Sequence, residues 1–194
     1  MNVQEKALQG GLINMAAFLP ASRVNGPGLR SVVWVQGCPR RCPGCFNQDM
    51  LEFKDKQLVP VDELACSILA ESGIEGVTFS GGEPFAQAAV LAELAEFLVK
   101  HGLTIMIFTG YRYEELKGAA NPDWDRMLAV TDLLVAGPYV EERRSQDYLL
   151  GSSNQELIFL TERLKNHPDM ISQADNAREI TIDAVGNIVV SGLG

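Results

Sequence analysis

Ser31-Val32-Val33-Trp34-Val35-Gln36-Gly37-Cys38-Pro39-Arg40-Arg41-Cys42-Pro43-Gly44-Cys45 is the stretch that decides the fold. Four of its first five residues, Val32 to Val35, are apolar and β-branched or aromatic, the pattern of a buried strand. Gln36-Gly37 ends that strand, so the three thiols stand on the loop that leaves it. Three of the four cysteines of the chain fall here, spaced Cys-x3-Cys-x2-Cys. Spacings this short let one loop wrap its thiolates around a single centre, as iron–sulfur and zinc sites require. Three ligands leave a coordination position open for chemistry, whereas a closed structural site has four. The alternative is a zinc knob closed by Cys66. Structural zinc ligands tend to come as two close pairs, and Cys66 reads better as a small buried apolar residue of a helix over 62–71. His101 and His167 stand farther away.

A second motif follows one strand and one helix later. Gly76-Val77-Thr78-Phe79-Ser80 reads as a short buried strand, and Gly81-Gly82-Glu83-Pro84 follows it. Two glycines let a backbone approach a ligand closely. Taken alone, the loop is equally a plain strand-to-helix turn, with Glu83 favoured at the helix start. The two motifs, in this order, resemble the radical S-adenosylmethionine (SAM) superfamily, over a span from about Asn14 to about Leu160.

The resemblance implies that Cys38, Cys42 and Cys45 hold a [4Fe-4S] cluster with one iron left open for SAM. One electron then splits SAM into methionine and a 5′-deoxyadenosyl radical. It also implies SAM contacts at Gly44, Cys45, Phe46, Gly81, Gly82, Glu83 and Thr109, with the Glu83 carboxylate as acceptor for the SAM ammonium group. No catalytic residue is implied beyond the cluster ligands. Phe46 has two readings, a wall for the adenine or simple packing over its loop.

Asn25-Gly26-Pro27-Gly28-Leu29-Arg30 resembles the loop ahead of the cluster strand in radical SAM activating enzymes, which usually have Asp where this chain has Asn25. Gly44-Cys45-Phe46-Asn47, Gly137-Pro138-Tyr139 and Gly151-Ser152-Ser153-Asn154-Gln155 resemble the anaerobic ribonucleotide reductase activating group, from which Ala136 departs, since that group commonly has Asp there. Gly44 departs from the wider superfamily, many of whose members carry an aromatic residue there. The activase resemblance implies a protein substrate, a glycyl radical enzyme such as anaerobic ribonucleotide reductase. It implies an electron donor such as flavodoxin or ferredoxin. The alternatives are a radical SAM enzyme acting on another peptide or a small molecule, and a non-catalytic Fe–S electron carrier or zinc-binding module.

The rest of the chain supplies the frame. Its 194 residues are 46% apolar, enough for one ordinary core. The net charge of −9 argues against nucleic acid as a partner. Apolar runs too short to span a membrane, an N-terminus without signal-peptide character and clustered thiols together suggest a cytoplasmic protein. Arg40-Arg41 reads as a solvated loop or a small docking patch.

A first strand is expected over 12–18, ended by Pro20. Residues 86–100 are the clearest helix, with Val90, Leu91, Leu94, Phe97 and Leu98 on one face and Glu96 spaced to pair with Lys100. His101 reads as its C-terminal cap. Strands follow over 103–108, 132–136 and 156–160, with short helices between the first two. Strand and helix alternation predicts an α/β fold with a parallel sheet. The count is too low for a full eightfold barrel, and the resemblance implies a partial (β/α) barrel with its site at the C-terminal mouth of the strands. The expected organisation is a core over residues 1–164, then a mobile linker and a short C-terminal β-hairpin over residues 165–194, packed on the same domain.

Overall fold

A computed structural model describes residues 8, 10–172, 176–182, 186 and 188–193. Nine strands and five α-helices are described. They are β1 (Leu12–Ser22), β2 (Arg30–Val35), β3 (Gln57–Pro60), α1 (Val61–Leu69), β4 (Gly76–Gly81), α2 (Ala88–Lys100) and β5 (Thr104–Thr109). Then come α3 (Tyr113–Gly118), α4 (Pro122–Ala129), β6 (Leu133–Ala136), β7 (Glu156–Phe159), α5 (Pro168–Ser172), β8 (Arg178–Ile182) and β9 (Ile188–Gly192).

Seven strands form one sheet in the order β3-β1-β2-β4-β5-β6-β7, and β8-β9 form a separate hairpin. Only β2, β4, β5 and β6 are parallel to one another; β1, β3 and β7 run antiparallel to their neighbours. The expected α/β alternation is therefore present in the middle of the sheet. Closure is not: β3 and β7 lie at opposite ends of the strand order, and the sheet is open and mixed. β3 is short and polar at its start, and sequence alone gives it no strand signal. It pairs only with Leu12–Met15, so β1 beyond Met15 has a free side on which Pro20 loses no ladder bond. That is why β1 runs through Pro20 to Ser22.

The parallel strands are buried on both faces, which explains their continuous apolar runs. α1 and α2 cover one face. Leu64, Ala65 and Ile68 of α1 and Leu91, Leu94, Ala95 and Leu98 of α2 join Val33, Phe79 and Ile105 in the main core. Val90 and Phe97 reach that core only in part. Glu96 accepts from Arg126 of α4 at 3.0 and 3.2 Å rather than holding Lys100 as its partner. His101 caps α2 as expected, its ring Nδ1 2.9 Å from the Phe97 carbonyl.

At the N-terminal ends of β2, β4 and β5, the register aligns Arg30, Gly76 and Thr104. Arg30 is completely buried, and its five N–H groups are all used. Nε donates to Thr78 Oγ1 (3.0 Å), Nη1 to the Pro27 carbonyl (3.1 Å) and Thr104 Oγ1 (2.9 Å), and Nη2 to the Val77 (2.9 Å) and Thr104 (3.0 Å) carbonyls. A Cβ on Gly76 would lie 2.6 Å from Nη1, and one on Gly26 2.8 Å from Cδ, so these two glycines make the space. Burial lowers the guanidinium pKa to about 10, with Asp132 opposing the shift, so the group stays charged at neutral pH.

Of residues 165–177, expected to be a mobile linker, the described part is docked. α5 forms within it, and Asp169 Oδ2 accepts from the Gly28 N–H at 2.8 Å. Just ahead of this segment, Thr161 and Arg163 donate to buried Asp132. Part of the expected hairpin turn (Val185 and Asn187) lies outside the described residues. Among the described residues no helix is long and apolar enough to cross a membrane.

Candidate functional site

The C-terminal ends of β2, β4 and β5 meet at one cavity of about 380 Å³. Cys38, Cys42 and Cys45 line it from the β2 loop, Gly81 and Gly82 from the β4 loop, and Thr109 from the end of β5. Phe46 lines it too. Two other expected contact residues, Gly44 and Glu83, are not among its lining, and Glu83 is wholly buried. Cys66, expected to be buried, is instead exposed, because α1 turns Val61, Leu64, Ala65 and Ile68 to the core, and it does not line the cavity with the other three thiols.

The cysteine loop is fixed by its backbone. Gly37 N–H donates to the Met50 carbonyl (2.8 Å) and Cys38 N–H to the Leu51 carbonyl (3.1 Å), so the loop is pinned to its own return. Asn47 Nδ2 donates to the Gly81 carbonyl at 3.0 Å, tying the cysteine loop to the glycine loop. Gly82 N–H donates to the Val35 carbonyl (2.8 Å) and Glu83 N–H to the Gly37 carbonyl (2.9 Å). The glycine pair is thus required by a protein contact. A Cβ at Gly81 would lie 2.6 Å from the Val35 nitrogen, and one at Gly82 2.3 Å from the Gly37 oxygen. The neighbour these glycines approach is the root of the cysteine loop.

The three thiols are free cysteines. Among the described residues no three His, Cys, Asp or Glu side chains converge tightly enough for a single metal ion. Three thiols spread round one cavity, with no fourth ligand beside them, suit a multi-iron cluster with an open position better than a closed zinc site. Burial pushes the Cys38 and Cys45 thiols up, against backbone N–H groups that favour the thiolate. Such thiols ionise when metal binds and releases their protons.

Glu83 is wholly buried, and its carboxylate faces protein. Oε1 accepts from Phe85 N–H (3.0 Å) and Thr109 Oγ1 (2.9 Å), and Oε2 accepts from Gly110 N–H (2.8 Å). The residue therefore binds the β4 loop to the β5 loop. Burial pushes its pKa up to about 7, against those three hydrogen bonds. In the unfolded chain it titrates at the ordinary carboxylate value, so the folded state holds the extra proton between the two. Its contribution to stability is complete below about pH 4.5 and is lost as pH rises through about 7. Glu83→Gln replaces one acceptor by a donor and orphans a buried N–H, an expected loss of ~1–3 kcal/mol. Denaturant unfolding of the metal-free protein is expected to show that gap narrowing as pH rises through about 7.

Phe46 satisfies both of its readings. It packs on Tyr139 with ring centroids 4.7 Å apart, yet is 45% exposed and lines the cavity. Arg40, read as part of a solvated loop or of a small docking patch, also lines the cavity. Its guanidinium lies 4.9 Å over the Tyr111 ring and pairs with Glu115 at 3.1 Å. Only the fold brings Tyr111 and Glu115 to it, so its spacing in the sequence carried no signal. The same holds for Val189, Val190 and Ser191 of β9, which also line the cavity. Asn25 Nδ2 donates to Ser191 Oγ at 3.0 Å, which gives the Asn25 departure a partner. The Ala136 departure sits buried at the end of β6, opposite Thr109 in the register.

Comparison with known proteins agrees with this geometry. The family described as "4Fe-4S single cluster domain" matches residues 24–158. An anaerobic ribonucleoside-triphosphate reductase-activating protein of Enterobacteria phage T4 is 31% identical over 162 residues, covering 80% of this chain and 99% of that one. A pyruvate formate-lyase-activating enzyme of Staphylococcus epidermidis is 31% identical over 149 residues, covering 74% of this chain and 59% of that one. The solved structure of QueE from Escherichia coli aligns with a TM-score of 0.38 at 21% identity, over 52% of this chain and 53% of that one, a likeness too partial to bear on function. Three free thiols on one loop, a cavity they share with a glycine pair, and these matches place the chain in the 4Fe-4S single cluster family, among its radical SAM activating proteins.

Proposed function

We propose that this chain cleaves SAM reductively and uses the resulting radical to install a glycyl radical on an anaerobic ribonucleotide reductase. The observation that carries this is the shared cavity of Cys38, Cys42, Cys45, Gly81, Gly82 and Thr109 at the mouth of the parallel strands. Likeness to reductase-activating proteins along nearly their whole length supports the choice of substrate.

In this reading Cys38, Cys42 and Cys45 hold a [4Fe-4S] cluster, which when bound supplies the electron that breaks SAM into methionine and a 5′-deoxyadenosyl radical. The chain's own residues orient and enclose. Cys45, Phe46, Gly81, Gly82 and Thr109 wall the space for SAM, and Gly44 gives the cysteine loop its positive φ of 69°. Glu83 is assigned a positioning role, holding the Thr109-Gly110 turn against the glycine loop. Enclosure keeps water and oxygen from the radical. The four parallel strands, with the site at their C-terminal ends, support reading the open sheet as part of a (β/α) barrel. Residues 1–164 act as the core in this account and residues 165–194 as an extension, in keeping with a family match that stops at residue 158. The electron comes from a small reduced carrier of the flavodoxin or ferredoxin kind, in a reducing compartment where the thiols persist.

The test is anaerobic: reconstituted protein, reductant, SAM and the reductase of the same organism. A glycyl-radical EPR doublet appearing with 5′-deoxyadenosine is the expected result. 5′-Deoxyadenosine without the doublet would assign the chemistry to another substrate.

A further inference from the structure

The C-terminal hairpin is turned inside out. In its antiparallel register Ile180 stands opposite Val190, and Ile182 opposite Ile188, so all four side chains share one face. They are 66%, 59%, 64% and 65% exposed. The adjoining positions Glu179, Thr181 and Ser191 are polar and less exposed, and Ser191 is buried. A two-stranded ribbon ordinarily points its apolar face at the core.

Here the register is held the other way. Ser191 is bonded to Asn25, and Gly192 (φ +98°) packs so closely that a Cβ would lie 2.1 Å from the Ala177 carbonyl oxygen. A slip of one residue would reverse the faces and break both contacts. The exposed face is also continuous with the site. Val190 belongs to both, and Val189, Ser191, Gly192 and Leu193 line the cavity beside the three thiols. The family match ends at residue 158, so the hairpin is an addition to the matched core.

We propose that this face is a docking surface for the polypeptide segment that carries the target glycine, and that the hairpin selects the substrate protein. The inference rests on the activase reading above. Under that reading the glycine must enter the cavity, and any chain entering beside β9 passes over Val190 and its apolar neighbours. Four neighbouring apolar side chains, each more than half exposed, form a patch on the few-hundred-Å² scale at which exposed patches are commonly functional. Four side chains fall well short of the ~20–30 residues per partner that a stable dimer buries, so the face suits an extended segment better than a second copy of this chain. Each strand of the ribbon pairs on one side only within the described hairpin.

The test uses the full chain with Ile180→Lys and Ile188→Lys combined, and separately Ile180→Thr and Ile188→Thr combined, which keeps β-branched residues on both strands. Three quantities are measured: 5′-deoxyadenosine formed without reductase, affinity for the same organism's anaerobic ribonucleotide reductase, and glycyl radical formed as reductase is titrated. Reductase-free 5′-deoxyadenosine is expected to stay at the wild-type rate. Affinity is expected to fall at least ~10-fold and the apparent KM for reductase to rise equally, the scale of losing two apolar anchors. Unchanged affinity and KM in both double variants would overturn the docking surface. A wild-type protein that makes 5′-deoxyadenosine but never radicalises the reductase would overturn the activase reading instead, and this inference with it. Sedimentation showing a wild-type dimer and monomeric variants would assign the face to self-association and overturn the proposal.

Discussion

Replacing Cys38, Cys42 or Cys45 by Ala, one at a time, is expected to leave a folded protein that cannot retain its iron. Visible absorbance after reconstitution should fall to background. SAM cleavage should fall at least ~100-fold, because even groups that merely support metal ligands cost 10–100-fold when removed. The three variants should behave alike, since all three thiols line one cavity and, among the described residues, no fourth Cys and no His, Asp or Glu lines it. Cys66→Ala is the control. Cys66 is exposed on α1 and lies outside the cavity, so its loss should change neither iron content nor activity and should shift stability by less than ~0.5 kcal/mol. Bleaching of the Cys66→Ala variant would contradict a three-thiol site.

Arg30→Met is expected to damage the fold rather than the chemistry. The substitution keeps most of the volume and removes five donors from a buried site. It leaves the Pro27, Val77 and Thr104 carbonyls and two threonine hydroxyls without the partner they now have. Unsatisfied buried groups cost ~1–3 kcal/mol each, and even with partial relaxation a loss of ~3–5 kcal/mol is expected. That is a large share of the 5–15 kcal/mol typical of a domain. Denaturant unfolding measures it directly. Arg30→Lys should recover little, because three donors on a flexible stem do not match a planar five-donor network. Arg30 joins β2, β4 and β5 at the ends opposite the cavity, so residual SAM cleavage per folded molecule should stay near wild type. An Arg30→Met protein as stable as wild type would show that the network is dispensable.

The central strands could be read from the sequence because parallel strands covered on both faces announce themselves as continuous apolar runs; 103–108 is the plainest, and β5 occupies Thr104–Thr109. β3 was illegible, since its four residues gain strand form only by pairing with Leu12–Met15. The extent of sheet closure was equally hidden, because it depends on the antiparallel edges β3 and β7 rather than on any βα unit. At the site, the cysteines and the glycine pair were visible as short-range spacings. The reason for the glycines was not: Gly82 is small because Gly37 lies against it, a contact between segments 45 positions apart in the numbering. Glu83 was legible as a site residue but not in its orientation, which is set by Thr109 and Gly110 on the next loop. The hairpin strands were legible by alternation, but the face turned to solvent was decided by Asn25 and Ser191, 166 residues apart.

The most direct measurement is the anaerobic EPR spectrum of the reconstituted protein with reductant, SAM and the organism's own anaerobic ribonucleotide reductase, with 5′-deoxyadenosine assayed in the same sample. A glycyl-radical doublet on the reductase, absent from the Cys38→Ala control and accompanied by 5′-deoxyadenosine, is the predicted result. A protein that carries its full cluster and yields neither doublet nor 5′-deoxyadenosine would contradict the account and leave an iron–sulfur electron carrier in its place.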